Sequence, residues 1–124
     1  MFISCNEREG TAYYEFQYCK KEWPIKKLLK RGYKFWREDS LLFGVEDIED
    51  EEDFFLYYGS YLEPTYSPDG TNVFCFFGIN YNTKELAKNI LEKIKQDKPP
   101  HYEKLANWLE KAISQYNGFF LLGI

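Results

Sequence analysis

The chain has 124 residues, 44% of them hydrophobic and 20% aromatic, which predicts a single folded domain over residues 1–124 and excludes an intrinsically disordered chain. Its net charge of −4 disfavours nonspecific binding to nucleic acid or to an anionic membrane surface. The sequence shows neither the apolar core of a signal peptide nor the run of about 18 apolar residues that a membrane-spanning helix needs, so we expect a cytoplasmic protein.

The first part of the chain predicts short strands around one helix. Residues 1–5 predict a strand, and residues 11–19 alternate in the way that is typical of a half-buried strand. Trp23-Pro24 predicts the start of a short helix, which Gly32 ends. Further strands are predicted at residues 33–37 and 41–45.

The middle of the chain is dominated by an acidic run, residues 46–53, in which seven of eight residues are carboxylates. Apolar residues precede and follow this run, so we predict an acidic loop or strand end that is held on a folded body. Residues 54–62 then predict a strand, residues 63–72 a loop, and residues 73–81 the most apolar strand. Because this last strand is apolar on both sides, we predict that it lies at the centre of the sheet.

The last part of the chain predicts two helices and a final strand. Asn82 and Glu85 have the spacing of a capping box at the start of the first helix, and Pro99-Pro100 ends it. A second helix with its own apolar stripe follows, and residues 119–124 predict a last strand or a plug in the core. The order of elements predicts an α+β fold, an antiparallel sheet with a C-terminal helical hairpin packed on one face.

The acidic run is the strongest functional signal in the sequence. Adjacent carboxylates repel one another by about 1 kcal/mol per close pair even in water, and nothing in folding requires them to be crowded. Three interpretations are open: a solvated turn, a surface that binds a basic partner, and a loop that binds a divalent metal. The spacing and the glycine of an EF-hand loop are missing, so we predict no metal site. The candidate partner-binding residues are Glu46, Asp47, Glu49, Asp50, Glu51, Glu52 and Asp53, with Tyr57 or Trp108 as an aromatic anchor.

A basic segment, residues 20–37, contrasts with the acidic run because it contains eight basic residues and one acidic residue. Its side chains form a solvated helix face, pair internally with the acidic run, or contact phosphates beside the rings of Trp23, Tyr33 and Trp36. The sequence leaves these three alternatives open. Trp108 likewise has two interpretations, a peripheral ring of the core or an exposed interface anchor.

No catalytic or cofactor-binding pattern is found in the sequence. His101 is the only histidine, and no serine, cysteine or aspartate is spaced from it in a way that predicts a catalytic triad. Phosphate-binding glycine patterns and zinc-binding pairs of Cys or His are also missing. Cys5, Cys19 and Cys75 are far apart and are predicted to be free thiols. We therefore predict that the protein is not an enzyme and uses no cofactor.

The second half of the chain resembles a family of bacterial proteins. The resemblance comes from the segment GTNVFCFFG at residues 70–78, a helix at residues 82–96, the pair Pro99-Pro100, and a second helix at residues 102–113. In size, acidity and this strand–helix–Pro–helix layout, the chain resembles small bacterial immunity proteins, in particular the partners of contact-dependent-inhibition ribonuclease toxins. The resemblance implies a protein that binds one cognate toxin and blocks its active site or its RNA path.

Three functions are compatible with the sequence. The first is an immunity or inhibitor protein whose acidic surface neutralises a cognate basic toxin of the nuclease type, without contacting nucleic acid or a membrane itself. The second is a small-ligand-binding protein or enzyme with a tyrosine-rich pocket. The third is a homo-oligomer in which residues 20–37 of one chain dock on residues 46–53 of another. The sequence does not determine the oligomeric state.

Overall fold

The computed structural model describes residues 2–7, 13–31, 39–45, 48–62, 65–66 and 78–123. In chain order, the strands and helices of these ranges are β1 (Phe2–Ser4), β2 (Tyr13–Tyr18), α1 (Ile25–Arg31), β3 (Leu41–Gly44), α2 (Ile48–Leu62), β4 (Ile79–Asn82), α3 (Lys84–Asp97), α4 (Tyr102–Ser114) and β5 (Phe119–Leu122). A 3₁₀ turn at Cys5–Glu7 follows β1. The strand predicted at residues 33–37 lies outside the described residues, as do most of the loop predicted at residues 63–72 and the start of the strand predicted at residues 73–81.

The strands form one antiparallel sheet in the order β1-β3-β2-β5-β4. β2 lies at its centre, with Phe16 opposite Leu41 of β3 and opposite Leu121 of β5. β5 joins β2 to β4, which do not pair with each other within the described residues. The sheet confirms the strands predicted at residues 1–5, 11–19, 41–45 and 119–124.

One face of the sheet packs against α2, α3 and α4 around aromatic side chains of β2. Phe16 meets Trp108 of α4 edge to face, and Tyr18 stacks on the same indole with ring centroids 4.0 Å apart. Such aromatic pairs contribute about 0.5–1.5 kcal/mol each beyond the area that they bury. α3 and α4 pack against each other as an antiparallel hairpin. The predicted α+β fold, with its C-terminal helical hairpin on one face of an antiparallel sheet, is confirmed.

α1 covers the opposite face of the sheet, where Leu28 packs with Tyr81 and Phe120 in a smaller buried cluster. β2 is buried on both of its faces, since residues 14–18 are all buried, and the prediction of a half-buried strand is wrong. The polar residues of β2 that predicted a solvent-facing side are inside the protein. Glu15 and Gln17 are both buried, and the Gln17 amide donates to the Glu15 carboxylate at 2.7 Å.

Residues 54–62 belong to the helix α2, so the prediction of a strand there is wrong. Residues 48–53 of the acidic run are the first turns of the same helix, which also corrects the prediction of an acidic loop or strand end. Phe54, Tyr58 and Leu62 are each at most 2% exposed, and their spacing of four residues puts them on one side of a helix. The many aromatic residues favour a strand by propensity, but packing of this apolar side decides the structure.

The predicted start of α3 is displaced by one residue. Asn82 is the last residue of β4, and Thr83 is the N-cap, with its hydroxyl oxygen accepting a hydrogen bond from the Leu86 amide at 3.2 Å. The predicted capping box of Asn82 and Glu85 is therefore wrong. The predicted end of the helix is confirmed, since Lys98 adopts a left-handed φ of 50° immediately before the proline pair.

β4 is the end strand of the sheet in the described part of the chain, and residues 73–77 of the strand that was predicted to be central lie outside the described residues. Beyond β4, Tyr66 and Tyr81 exchange backbone hydrogen bonds of 2.9 and 2.8 Å as an isolated bridge. β2 occupies the centre instead, between β3 and β5.

The turn between α4 and β5 requires a glycine. Gly118 has a positive φ of 78°, and a Cβ atom there would lie 2.1 Å from the carbonyl oxygen of Asn82. The Asn117-Gly118 pair in the sequence thus marks a close approach of two backbone segments as well as the end of a helix.

Candidate protein-binding surface

The acidic run forms the first turns of α2. Glu49 and Glu52 are exposed, whereas Asp50 and Asp53 are partly buried. The N-terminus of a helix carries a partial positive charge from its unpaired N–H groups, and this charge stabilises a nearby carboxylate by about 0.3–1 kcal/mol. The helix therefore offsets part of the repulsion between adjacent carboxylates, which explains how the fold tolerates them.

Three carboxylates and one leucine share the outward side of α2. With about 3.6 residues per turn, Glu49, Glu52, Asp53 and Leu56 fall within an arc of roughly 100°. We call these four residues the acidic helix face. Leu56 is 76% exposed, and no other large hydrophobic side chain among the described residues is exposed. An apolar centre with a charged rim is a common layout for a surface that binds another protein.

Two tyrosine hydroxyls fasten α2 to the α3–α4 hairpin. The Tyr58 hydroxyl donates to the carbonyl oxygen of Pro100 between the two helices, and the Tyr61 hydroxyl donates to the Asp97 carboxylate at 2.7 Å. Burial raises the pKa of Tyr58, and the hydrogen bond to Asp97 raises the pKa of Tyr61, so both groups stay protonated donors at neutral pH. The acidic helix face is thus presented on a helix that is fixed from its other side.

The salt bridges of the described residues do not involve the acidic helix face. They join Lys20 to Asp39 at 2.6 Å and Lys95 to Glu110 at 2.8 Å. Within the part of the chain that the structure describes, Glu49, Glu52 and Asp53 therefore have no cationic partner. Lys20, the first residue of the basic segment, pairs with Asp39 and not with the acidic run.

The other acidic residues that the sequence nominated are placed differently. Glu46 and Asp47 lie outside the described residues, and the structure does not describe the side chain of Glu51. Asp50 is partly buried on the flank of α2. Tyr57 lies on the same flank and packs against the core with part of its ring still exposed. The structure therefore brings together three of the nominated carboxylates, with Tyr57 at their edge.

Trp108, the second nominated anchor, belongs to the core of the protein. It is 8% exposed, its ring stacks on Tyr18, and its Nε1 atom donates to the carbonyl oxygen of Asp39 at 2.7 Å. Of its two interpretations, the structure supports the peripheral core ring. Because Trp108 belongs to α4 and not to α2, we leave it out of the acidic helix face.

Leu56 was not among the residues nominated from the sequence. In a strand, Leu56 would share a side with Phe54 and Tyr58 and would be buried with them. In a helix, the same spacing turns Leu56 outward while the two rings stay inside. The recurrence of apolar residues at positions 54, 58 and 62 is the sequence signal that identifies the helix and hence the exposed leucine.

The buried tyrosines of the described residues act as hydrogen-bond donors inside the fold. Tyr18, Tyr58 and Tyr81 each donate to a backbone carbonyl oxygen, at 3.0 Å for Tyr18 and 2.7 Å for Tyr81. Burial is the main reason that the pKa of each is raised, so all three hydroxyls remain protonated at neutral pH. These three tyrosines have a structural role and do not present free hydroxyls to a pocket.

The described residues contain no group of three or more His, Cys, Asp or Glu side chains placed to hold a metal ion. None of the described helices is long and apolar enough to cross a membrane. No protein-family model, curated protein or solved structure matches the chain. The resemblance to immunity proteins accordingly stays a prediction, and the functional argument depends on the geometry of the acidic helix face.

Proposed function

We propose that this protein is an immunity or inhibitor protein whose acidic helix face docks on the basic surface of a cognate toxin of the nuclease type. A nuclease binds phosphates through Lys and Arg side chains, and carboxylates on a fixed helix present to those side chains the same negative charge as a phosphate does. The resemblance of residues 70–113 to immunity proteins supports the same class of function.

The observation that carries the proposal is the position of Leu56 among three carboxylates that lack a cationic partner in the described part of the chain. A single exposed leucine is common on protein surfaces and by itself needs no explanation. Here a basic partner with an apolar pocket would relieve the repulsion between carboxylates and bury the leucine in one contact.

The two components of this surface have different consequences for binding. Burial of a leucine side chain contributes about 1.5–3 kcal/mol, which mainly slows dissociation. Carboxylates at the rim steer a basic partner towards the surface, which mainly raises the association rate and makes it sensitive to salt. Replacing the leucine and replacing the carboxylates should therefore affect different rate constants.

The decisive experiment first searches the neighbouring genes for a toxin, and then measures association of this protein with the nuclease domain of that toxin by stopped flow at low and at high salt. The test variant carries Glu49→Gln, Glu52→Gln and Asp53→Asn. A matched control carries Glu22→Gln, Glu92→Gln and Glu103→Gln, which removes the same charge from exposed positions elsewhere. At low salt we expect the test variant to associate about tenfold more slowly and the control to change by less than about twofold.

The Leu56→Ala variant completes the experiment, and we expect faster dissociation with an almost unchanged association rate. Equal effects of the two charge variants would mean that net charge, and not the acidic helix face, attracts the partner. A Leu56→Ala variant that protects against the toxin as well as the natural protein, at limiting concentration, would contradict the proposed contact.

A further inference from the structure

A groove runs along α4 on the side that faces β1 and the 3₁₀ turn after it. Its volume is about 360 Å³, which is at the small end of the range of roughly 300–1,000 Å³ seen for small-molecule sites. Residues of β1 and the following turn form one wall, α4 forms the other, and side chains from β2, β3 and α4 form the floor. None of the lining residues belongs to α2, so the groove is separate from the acidic helix face.

The floor of the groove is apolar. It consists of Tyr18, Leu41 and Trp108, which are all buried in the core. Their polar atoms are already used inside the protein, since the Tyr18 hydroxyl donates to the Trp108 carbonyl oxygen and the Trp108 indole donates to the Asp39 carbonyl oxygen. The floor therefore offers carbon surface to a ligand and requires no hydrogen bond from it.

The α4 wall of the groove carries two cations and an amide. Lys104, Asn107 and Lys111 follow one another at intervals of three and four residues, and all three are exposed. Within the described residues, neither lysine forms a salt bridge. The two lysines are separated by about two helical turns, or roughly 10 Å along the axis, with the amide between them.

The opposite wall balances only one of these lysines. The backbone amide and the hydroxyl of Ser4 donate to the same oxygen of Glu7, at 3.1 and 2.8 Å. These hydrogen bonds and the nearby Lys104 hold the pKa of Glu7 below its usual value, so Glu7 is a carboxylate at neutral pH and offsets Lys104. Lys111 faces no such carboxylate among the lining residues, and the groove keeps an excess of positive charge at that end.

We propose that this groove binds a small organic anion, an apolar body that ends in a carboxylate or a phosphate. The body lies on Trp108 and Leu41, while the anionic group binds Lys111 and receives a hydrogen bond from the Asn107 amide. The ligand needs both parts. Its apolar body is stabilised by contact with the floor, and its anionic group balances the positive charge at the Lys111 end of the groove. The proposal is independent of the toxin-binding function, since the two surfaces share no residue.

The length of the groove favours a small molecule over a polymer. A span of roughly 10 Å accommodates about three residues of an extended peptide, too few for a stable peptide complex on this area alone. Nucleic acid is disfavoured because only two lysines line the groove and the whole chain carries a net charge of −4.

The experiment titrates the full chain with three probes of equal chain length, octanoate, octyl phosphate and octanol, and follows amide chemical shifts by NMR. We expect both anions to shift the amides of residues 104–111 and of the Ser4–Glu7 wall, and octanol to bind about tenfold more weakly or worse, since it lacks the charged hydrogen bonds. Tighter binding of octyl phosphate would assign a phosphate monoester as the ligand class, and tighter binding of octanoate would assign a carboxylate.

Lysine variants locate the anionic group. Lys111→Gln should weaken both anions about tenfold, and Lys104→Gln should weaken them less because Glu7 already offsets that charge. The matched control is Lys93→Gln, on the exposed side of α3, which should change either affinity by less than about twofold. Glutamine retains helix propensity close to that of lysine, so these variants keep the fold.

Three results would each overturn the proposal. They are octanol binding as tightly as octanoate, anion affinity that is unchanged in Lys111→Gln, and chemical shifts that fall outside the groove. A short polyglutamate peptide should bind in the groove more weakly than either octyl anion, and tighter binding of the peptide would assign the groove to an acidic partner protein instead.

Discussion

The acidic helix face and the groove beside α4 differ in shape as well as in charge. The first is convex: an exposed leucine projects from a helix, and carboxylates surround it. The second is concave: its apolar surface is buried at the floor and its lysines stand at the rim. A projecting apolar side chain can be buried only by a partner large enough to have its own pocket, whereas an apolar floor can be covered by a small molecule. Shape therefore separates a macromolecular site from a small-ligand site on the same core.

The largest expected effect tests whether α2 presents its leucine outward. Phe54→Ala removes a fully buried ring that stacks on Tyr14, and we expect a loss of about 3–5 kcal/mol in the free energy of unfolding. Leu56→Ala, two residues away, should change it by less than about 0.5 kcal/mol because the side chain is exposed. Urea unfolding measures both changes in free energy. Equal losses would mean that Phe54 and Leu56 do not lie on opposite sides of a helix.

The next largest effect tests whether the floor of the groove and the acidic helix face are independent of each other. Trp108→Phe deletes the indole N–H that donates to the Asp39 carbonyl oxygen and leaves that acceptor without its partner. We expect a loss of about 1–3 kcal/mol in the free energy of unfolding, together with weaker binding of octanoate. The association rate with a basic partner should stay unchanged. A change in that rate would show that the two regions are coupled.

A smaller effect concerns the attachment of α2 to the hairpin. Tyr58→Phe removes the hydrogen bond to Pro100 and should lower the free energy of unfolding by about 0.5–1.5 kcal/mol. The pKa of Tyr58 is higher in the folded protein than in the unfolded chain, so the protonated hydroxyl stabilises the fold. This stabilisation is complete below the unfolded-state pKa of about 10 and is lost as the pH rises above that value. The free energy of unfolding, measured between neutral and strongly alkaline pH, should therefore fall less steeply in Tyr58→Phe than in the natural protein. An identical pH profile would exclude a buried, protonated Tyr58.

The smallest effect asks whether the carboxylates of the acidic helix face serve folding. Glu52→Gln removes a favourable interaction with the helix N-terminus and also a repulsion between neighbours, so we expect a change below about 0.5 kcal/mol. Glu92→Gln on the exposed side of α3 is the control and should be similar. If Glu52→Gln destabilised the protein by more than about 1 kcal/mol in urea unfolding, the carboxylate would have a structural role and the case for a binding surface would weaken.

The sequence predicts those elements of the fold in which a single hydrophobic period dominates. The alternation in residues 11–19 and the apolar stripes of α3 and α4 predicted those elements, because one strongly apolar side must be buried. α2 was missed because aromatic residues at positions 54, 55, 57 and 58 resemble a strand, and the period of four emerges only when Leu62 is included. The burial of β2 on both faces depends on its place between β3 and β5 in the sheet, which no local pattern encodes.

The candidate sites were visible to different degrees. The crowded carboxylates stand out in the sequence, but the exposure of Leu56 follows only from the helical geometry of α2. Trp108 was open to two interpretations because an amphipathic stripe does not show what covers its edge. The groove is lined by both Glu7 and Lys111, residues that are distant in the chain, so no sequence spacing predicts it.

The position of β5 has a consequence for biogenesis. β5 is the only described strand that connects β2 to β4, and its residues 119–122 are translated after both of its neighbours. While the ribosome is still adding these residues, β2 and β4 each display an open row of N–H and C=O groups, which other chains can recruit. The hairpin of α3 and α4 can form locally before that point, but the sheet can close only after residues 119–122 have left the ribosome. Chaperone protection is therefore most useful in the interval before β5 pairs with its two neighbours.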